Sequence, residues 1–295
     1  MNPPIDRRID FAFYFDVSEG NPNGDPMRDN APRVDPYDGH GIVTDVCLKR
    51  KVRDWLSDRG HEMFIGRDGV SLNEKLEGAA ERAGAKGKKT DPALKRRRGE
   101  ELCRTYLDVR LFGAMAETGD YPAGRITGPA QMSMARSLHP ISFTSHQLTR
   151  VALTKADEVE KPGTMTREGG RHLIRYAAYR TLGTVTPTRA KATGLSSEDL
   201  ALLFDALCLC WGRDRASARG VMGARGLYLA VHSTGDGRLH ASDLYAQISH
   251  TADRPRSWDD VGLTLRTVDT PDVMWYRWSV GEGMVPIASK EGASV

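Results

Sequence analysis

Cations carry the clearest chemical signal in this chain. Beyond Thr44, the residues Leu48, Val52, Trp55 and Leu56 recur at i, i+4, i+7 and i+8, the period of an apolar helix face. At about 100° per residue, Lys49, Arg50 and Arg53 fall in one arc beside that face. A cationic ridge on a packed helix suits phosphate oxygens, whereas the plainer reading of any basic helix is a solvated face. Three more arginines, Arg213, Arg215 and Arg219, stand in a glycine-punctuated loop directly after a second apolar stripe, Leu200, Leu203, Phe204, Leu207 and Trp211. They either compensate that helix's dipole or form a phosphate cradle.

Catalytic chemistry is poorly announced. A serine triad, a cysteine nucleophile or a zinc hydrolase needs a nucleophile, a base and an orienting group in one place, and no short motif supplies them. Dinucleotide and Walker glycine spacings are absent, and the eight histidines include no HExxH. His172 beside Arg171 is the one histidine placed for metal-free RNA cleavage, against the simpler reading of a hydrogen-bonded surface histidine. Cys47, Cys103, Cys208 and Cys210 show no paired CxxC spacing, so reduced, mostly buried thiols are expected rather than a zinc site or any other metal or cofactor.

The elements that must position the cations begin with a strand. Ile9, Phe11, Phe13, Phe15 and Val17 alternate with Asp10, Ala12, Tyr14 and Asp16, which reads as a half-buried strand with the aromatic set inward. The run Glu19-Gly20-Asn21-Pro22-Asn23-Gly24-Asp25-Pro26 then breaks all regular structure, because glycine permits positive φ and proline removes backbone donors. Thr44 is expected to cap the basic helix, and Ser196, with Asp199 three residues on, to cap the second. Residues 57–127 read as a finger-like helical insertion, carrying the basic run Lys86, Lys88, Lys89, Lys95, Arg96, Arg97 and Arg98. A candidate hairpin rises through 148–154 and returns through 171–180, with a tip at 155–170 too long for an idle connection. Leu227, Leu229 and Val231 mark a later strand, while Trp275, Tyr276 and Trp278 read as packing residues.

The order is therefore strand, helix, strands with excursions, helix, strand: an α+β chain with a ferredoxin-like, RNA-recognition-type β-α-β-β-α-β core and large insertions. With 295 residues, one elaborated domain spanning 1–295 is expected. A net charge of +3 identifies no partner, since placement matters more than total. No apolar run is long enough to span a membrane, and Pro3, Pro4, Asp6, Arg7 and Arg8 replace a signal-peptide core, so a cytoplasmic protein without membrane contact is expected.

The strings DFAFYFDVSEGNPNGDP and GHGIVTDVCLKRKVRDWL, with LDVRLFGAM, GPAQMSMARS and RDRASARGVMGARGLYL in that order, resemble the Cas-seven proteins, the CRISPR-associated backbone subunits of Cascade, closest to the I-C subtype. The resemblance spans residues 9 to 229. It implies a non-catalytic subunit that polymerises along guide RNA (crRNA), presents it to target DNA, and meets the cap, large and small subunits. On the family's helix motif, Lys49 and Arg53 become the best phosphate ligands, with Thr44 and Asp45 at the helix start and Arg50 secondary. Val46 departs from the polar residue often found there. Asn21, Asn23 and Gly24 are expected loop contacts, joined by Arg171, Arg213, Arg215 and Arg219. The resemblance makes the 155–170 tip a thumb over the guide, with Met165 as its base wedge. Type III relatives cut bound RNA with a loop aspartate, so the resemblance leaves an endoribonuclease alternative in which Asp25, Asp29, Asp35 and Asp38 lie where such an acid would sit, Asp29 first.

Overall fold

The computed structural model describes residues 1–150, 166–251, 253–266, 270–287 and 293–294. Its centre is β1 (Ile9–Gly20), the middle of a sheet of nine strands among the described residues. The others are β2 (His40–Val43), β3 (Ala130–Met132), β4 (Ala135–Pro140), β5 (Phe143–Arg150), β6 (Thr166–Val185), β7 (Val221–His232), β8 (Val273–Ser279) and β9 (Gly283–Pro286). Neighbours run β9-β8-β7-β1-β6-β4-β2, with β3 and β5 also pairing with β6, and every pairing is antiparallel. β1 is held on both edges, Ile9 opposite Val185 of β6 and Val231 of β7. A hairpin of β5 against β6 stands in this region, with strand bounds that differ from the expected 148–154 and 171–180: β5 starts at Phe143, and β6 starts at Thr166, inside the expected tip, while 151–165 lie outside the described residues.

The two-residue period of β1 places its aromatics as read. Phe11, Phe13, Phe15 and Val17 join one core with α1 (Asp45–Ser57) and a second long helix, Ser197–Leu209. Phe15 stacks between Tyr179 and Trp211 at centroid distances of 5.2 and 4.6 Å. Full burial of each phenyl ring is worth about 2–3 kcal/mol, so this face anchors α1 to the sheet. Thr44 caps α1 by accepting from the Cys47 amide, and Ser196 and Asp199 form a reciprocal capping box on the later helix, both as the local sequence requires.

The other face of β1 corrects the half-buried expectation. Ala12 and Tyr14 lie in a second core with Tyr228, Ala230 and Trp275, closed over by Leu244, Ile248, Val261, Leu263 and Leu265. Tyr14 is 1% exposed and meets Tyr228 and Trp258 edge to face. The acids that suggested solvent are interior and paired: Asp10 with His232 (2.8 Å) and Arg8 (2.9 Å), Asp16 with Arg225 (2.8 Å) and the Tyr176 hydroxyl (3.1 Å). Buried charge persists only when so compensated.

Residues 57–127 contain α2 (Leu72–Arg82), α3 (Pro92–Thr105), α4 (Leu107–Phe112) and a small pair of strands, Gly113–Ala116 and Gly124–Thr127. Their own core is built from Phe64, Leu76, Leu102, Tyr106 and Val109. The following helices are α5 (Pro187–Thr193), α6 (Ser197–Leu209) and α7 (Ala241–Ala246). Three of the seven cations of the basic run are paired locally: Lys95 with Glu117, Lys86 with Glu81, and Arg96 with Glu100. Arg98 is fully buried and donates to the carbonyls of Ala85 and Pro122.

Candidate nucleic-acid interface

Three distant stretches meet at the N-terminal end of α1. The loop after β1 enters first: the Asn21 amide donates to Ala218 O (2.8 Å), and its side chain bonds Asn30 O (2.7 Å) while accepting from the Asn23 amide (3.2 Å). Asn23 Oδ1 then accepts from both the amide and the hydroxyl of Thr44, at 3.0 and 2.9 Å, which fixes the loop to the helix cap. Arg219 closes the third side by donating through Nη1 to the carbonyls of Asn21 and Pro22, both at 2.9 Å. The chains approach too closely for a side chain at two points. A Cβ on Gly20 would lie 2.1 Å from Arg219 O, and one on Gly220 (φ +57°) 2.2 Å from Glu19 O. Gly24 is similarly confined, with a Cβ placed 2.6 Å from Asn30 O.

The seam so formed holds cations in an ion-pair lattice. Lys49 pairs with Asp45 at 2.9 Å and lies 5.6 Å from the Phe112 ring centroid. Lys51 is buried against Trp211 and pairs with Asp214, which also faces Arg219 at 3.6 Å. Arg213 lies away from the seam, at the C-terminal end of α1, where it bridges Asp58 and Asp54 and the Asp58 carboxylate raises its already high pKa. Arg215 is exposed and has no hydrogen bond or ion pair among the described residues. At the positive end of the α1 dipole the amides of Cys47 and Leu48 are taken by Thr44, which leaves those of Asp45 and Val46 without a hydrogen bond among the described residues. Burial raises the Cys47 thiol in this seam, so it stays protonated.

The arc reading of the basic helix needs one physical correction. Arg53 does not stand on an open ridge: it is 7% exposed, and its Nε donates to Asp108 at 2.8 Å. Asp108, 1% exposed, also accepts from the amides of Phe64 (2.7 Å) and Ile65 (3.1 Å). Arg50 turns towards the same segment, donating to Ile65 O at 3.2 Å with Asp54 at 3.6 Å. The string LDVRLFG thereby acquires a physical role. Asp108 ties α1 to residues 64–65, and Arg110 grips Asp199, the capping acid of α6, at 2.9 and 3.1 Å. Sequence reading missed Lys51, Asp108 and Asp214. Of these only Lys51 carried a local signal, as the third cation of Lys49-Arg50-Lys51.

Other expected residues lie elsewhere. Arg171 sits on β6 opposite His146, and among the described residues no hydrogen bond or ion pair joins it to the seam. Met165 lies outside the described residues. Among the loop acids, Asp25 caps a short turn, and Asp35 and Asp38 both pair with Arg136, which holds the Asp35 carboxyl below its ordinary value. Asp29 is 74% exposed at φ 49° and lies 3.5 Å from His172, whose Nδ1 meets Ser145 Oγ at 2.8 Å.

Fold and seam together define an α+β protein in which a large antiparallel sheet carries one helix end, a fixed loop and Arg219 bonded to one another. The family model described as CRISPR-associated protein Cas7 matches residues 7–266, and the chain belongs to that family. A CRISPR-associated protein Cas7 of Haloferax volcanii is 26% identical over 253 residues, covering 80% of this chain and 73% of its own. Among solved structures, a chain of a CRISPR RNA-guided surveillance complex, pre-nicking, aligns with TM-score 0.48 and 17% identity, covering 79% of this chain and 76% of that one. Another CRISPR RNA-guided surveillance complex gives TM-score 0.46 and 16% identity, with 84% and 77% covered. Among the described residues no helix is long and apolar enough to cross a membrane.

Proposed function

We propose that this chain is a non-catalytic, guide-RNA-binding backbone subunit of a type I-C-like Cascade, polymerising along the guide and presenting it for pairing with target DNA. The single observation that carries this reading is the seam, where Asn21–Asn23, the start of α1 and Arg219 are fixed to one another by hydrogen bonds. A protein that accepts any guide must hold phosphate and sugar and leave base edges free. Cations and helix-end amides on locked backbone do that without reading sequence.

Within the seam, Lys49, Arg215 and Arg219 are the phosphate ligands, and Arg53 positions α1 from beneath. Tyr14 cannot serve as a base platform under its cover, which supports recognition by the helix end and loops rather than by the sheet face. The strand order β4-β6-β1-β7, with α1 and α6 on one face, supports a ferredoxin-like core. On this reading 57–127 is a finger-like insertion and 155–170 the thumb, with Met165 as wedge. The cap, large and small subunits and further copies of the chain complete the assembly.

Replacing Lys49 and Arg215 together with alanine tests the seam. Two lost single-strand phosphate contacts lower the slope of log K against log salt by about 1.4. Weakening should be equal across unrelated guide sequences, and an unchanged slope removes the seam from the site.

A further inference from the structure

A second cationic site lies away from the seam. Between the end of β4, β6 and the loop at 254–256 is a cleft of about 600 Å³, within the range of small-ligand sites. Arg175, Arg254 and Arg256 line it, all exposed, and none of their guanidinium groups forms an ion pair among the described residues, though the Arg256 charge is felt by Asp260. The nearby acids are committed or at the rim. Asp16 is held by Arg225 and the Tyr176 hydroxyl, and Asp260 accepts the amides of Arg256 (2.8 Å) and Ser257 (3.0 Å). Asp253 lies close enough to His139 to act on it electrostatically. Tyr176 packs with the core opposite α1 and α6 and Ile141 with the core beneath α1, and none of the residues lining the cleft belongs to the seam.

Its wall holds a second signal. His139 is 6% exposed, its Nδ1 engages Pro140 O at 2.9 Å, and its buried Nε2 has no hydrogen-bond partner. Burial lowers its pKa, favouring the neutral ring. With Nδ1–H donating to Pro140, Nε2 is an acceptor awaiting a donor. A bare phosphate offers none, but a nucleotide does, through a base imide, amino or sugar hydroxyl group. Guanidinium forks for phosphate, apolar walls from Pro255 and Tyr176, and one buried acceptor make a set that a plain anion would leave incomplete.

We propose that this cleft binds a stretch of single-stranded nucleic acid other than the guide, with Arg175, Arg254 and Arg256 on its phosphates and His139 Nε2 accepting from a base. The test uses the full chain, with and without guide RNA, titrated with labelled oligothymidylate, whose imide is a donor. Reversing the three exposed arginines (R175E, R254E and R256E together) should cost about tenfold or more in oligonucleotide affinity and lower its salt slope by about 2, three phosphates being lost. Guide binding should be retained, whereas the Lys49 and Arg215 pair should do the reverse. Oligonucleotide affinity within about twofold of the parent overturns the proposal, as does thymidine monophosphate competing as well as the strand, which would assign the cleft to a free nucleotide. Photocrosslinking of a thiothymidine oligonucleotide to the unaltered protein gives a second readout. Adducts should map to 139–142, 175–176 or 254–256, and adducts confined elsewhere refute the site. Failure of guide binding by the parent protein bears on the seam alone.

Discussion

Replacing Arg53 with methionine separates support from contact. Methionine keeps most of the packed stem over Phe112, whose ring centroid lies 5.3 Å from the guanidinium carbon, but removes the charge facing Asp108. Asp108 then stays buried with only the amides of Phe64 and Ile65. Breaking a buried pair from one side costs about 3–5 kcal/mol, a large share of the roughly 5–15 kcal/mol that holds a domain together. At about 2–4 °C per kcal/mol the melting temperature falls by roughly 10 °C, and the urea midpoint falls with little change in slope. Asp108→Asn keeps an acceptor for the amides, so the double variant should be less destabilised than the sum of the singles, with a coupling of about 2 kcal/mol. Well below its melting point, Arg53→Met should bind RNA with the parent's salt slope. Additive destabilisation together with a slope reduced by about 0.7 would refute the reasoning and make Arg53 a phosphate ligand after all.

Burial raises the Asp10 carboxyl, but hydrogen bonds from His232 and Arg8 outweigh this and hold it below its ordinary value of 3.8. A depressed carboxyl stabilises the fold above its unfolded value and loses that contribution as pH falls through the folded one. Asp10→Asn should therefore be destabilised at neutral pH by urea titration, with the gap closing below about pH 4; a gap that persists in acid would exclude the carboxylate as its source. Purified protein with RNA and magnesium should leave the RNA intact on a denaturing gel, and cutting that vanishes in Asp29→Ala would install the endoribonuclease reading instead. Deleting 155–165 should leave the melting temperature near the parent's while shortening RNA-bound oligomers, measured by particle mass; full-length assembly would remove the thumb assignment.

Local features were legible in the sequence and distant ones were not. The alternation in β1 and the caps at Thr44 and Ser196 depend on neighbours within four residues, so periodicity and side-chain chemistry suffice to read them. The burial of Arg53 depends on Asp108, 55 positions away, and the hydrogen bonding of buried Asp10 on His232, 222 positions away. Nothing in the local string distinguishes those pairs from solvated charges. The same limit concealed the cover on the second sheet face, because polar Asp10 and Asp16 imitate a solvent-facing alternation. The site was half legible for this reason. Asn21, Asn23, Thr44 and Arg219 are bonded together, with Gly24 confined beside Asn30. Arg213 instead pairs with Asp54 and Asp58 at the far end of α1, Lys49 pairs with Asp45, and Arg215 makes no bond among the described residues. Asp54, Asp58, Asp108 and Asp214, which hold the cations around α1, were not part of the sequence reading.

The most direct test of the guide-binding claim is the mass of the particle purified under native conditions from a host that transcribes its own CRISPR array. The account predicts RNA of discrete length in a particle that carries several copies of the 32.5 kDa chain, with the RNA lost on combined substitution of Lys49 and Arg215. Protein recovered free of RNA, or with RNA of random length and indifferent to those substitutions, would contradict it.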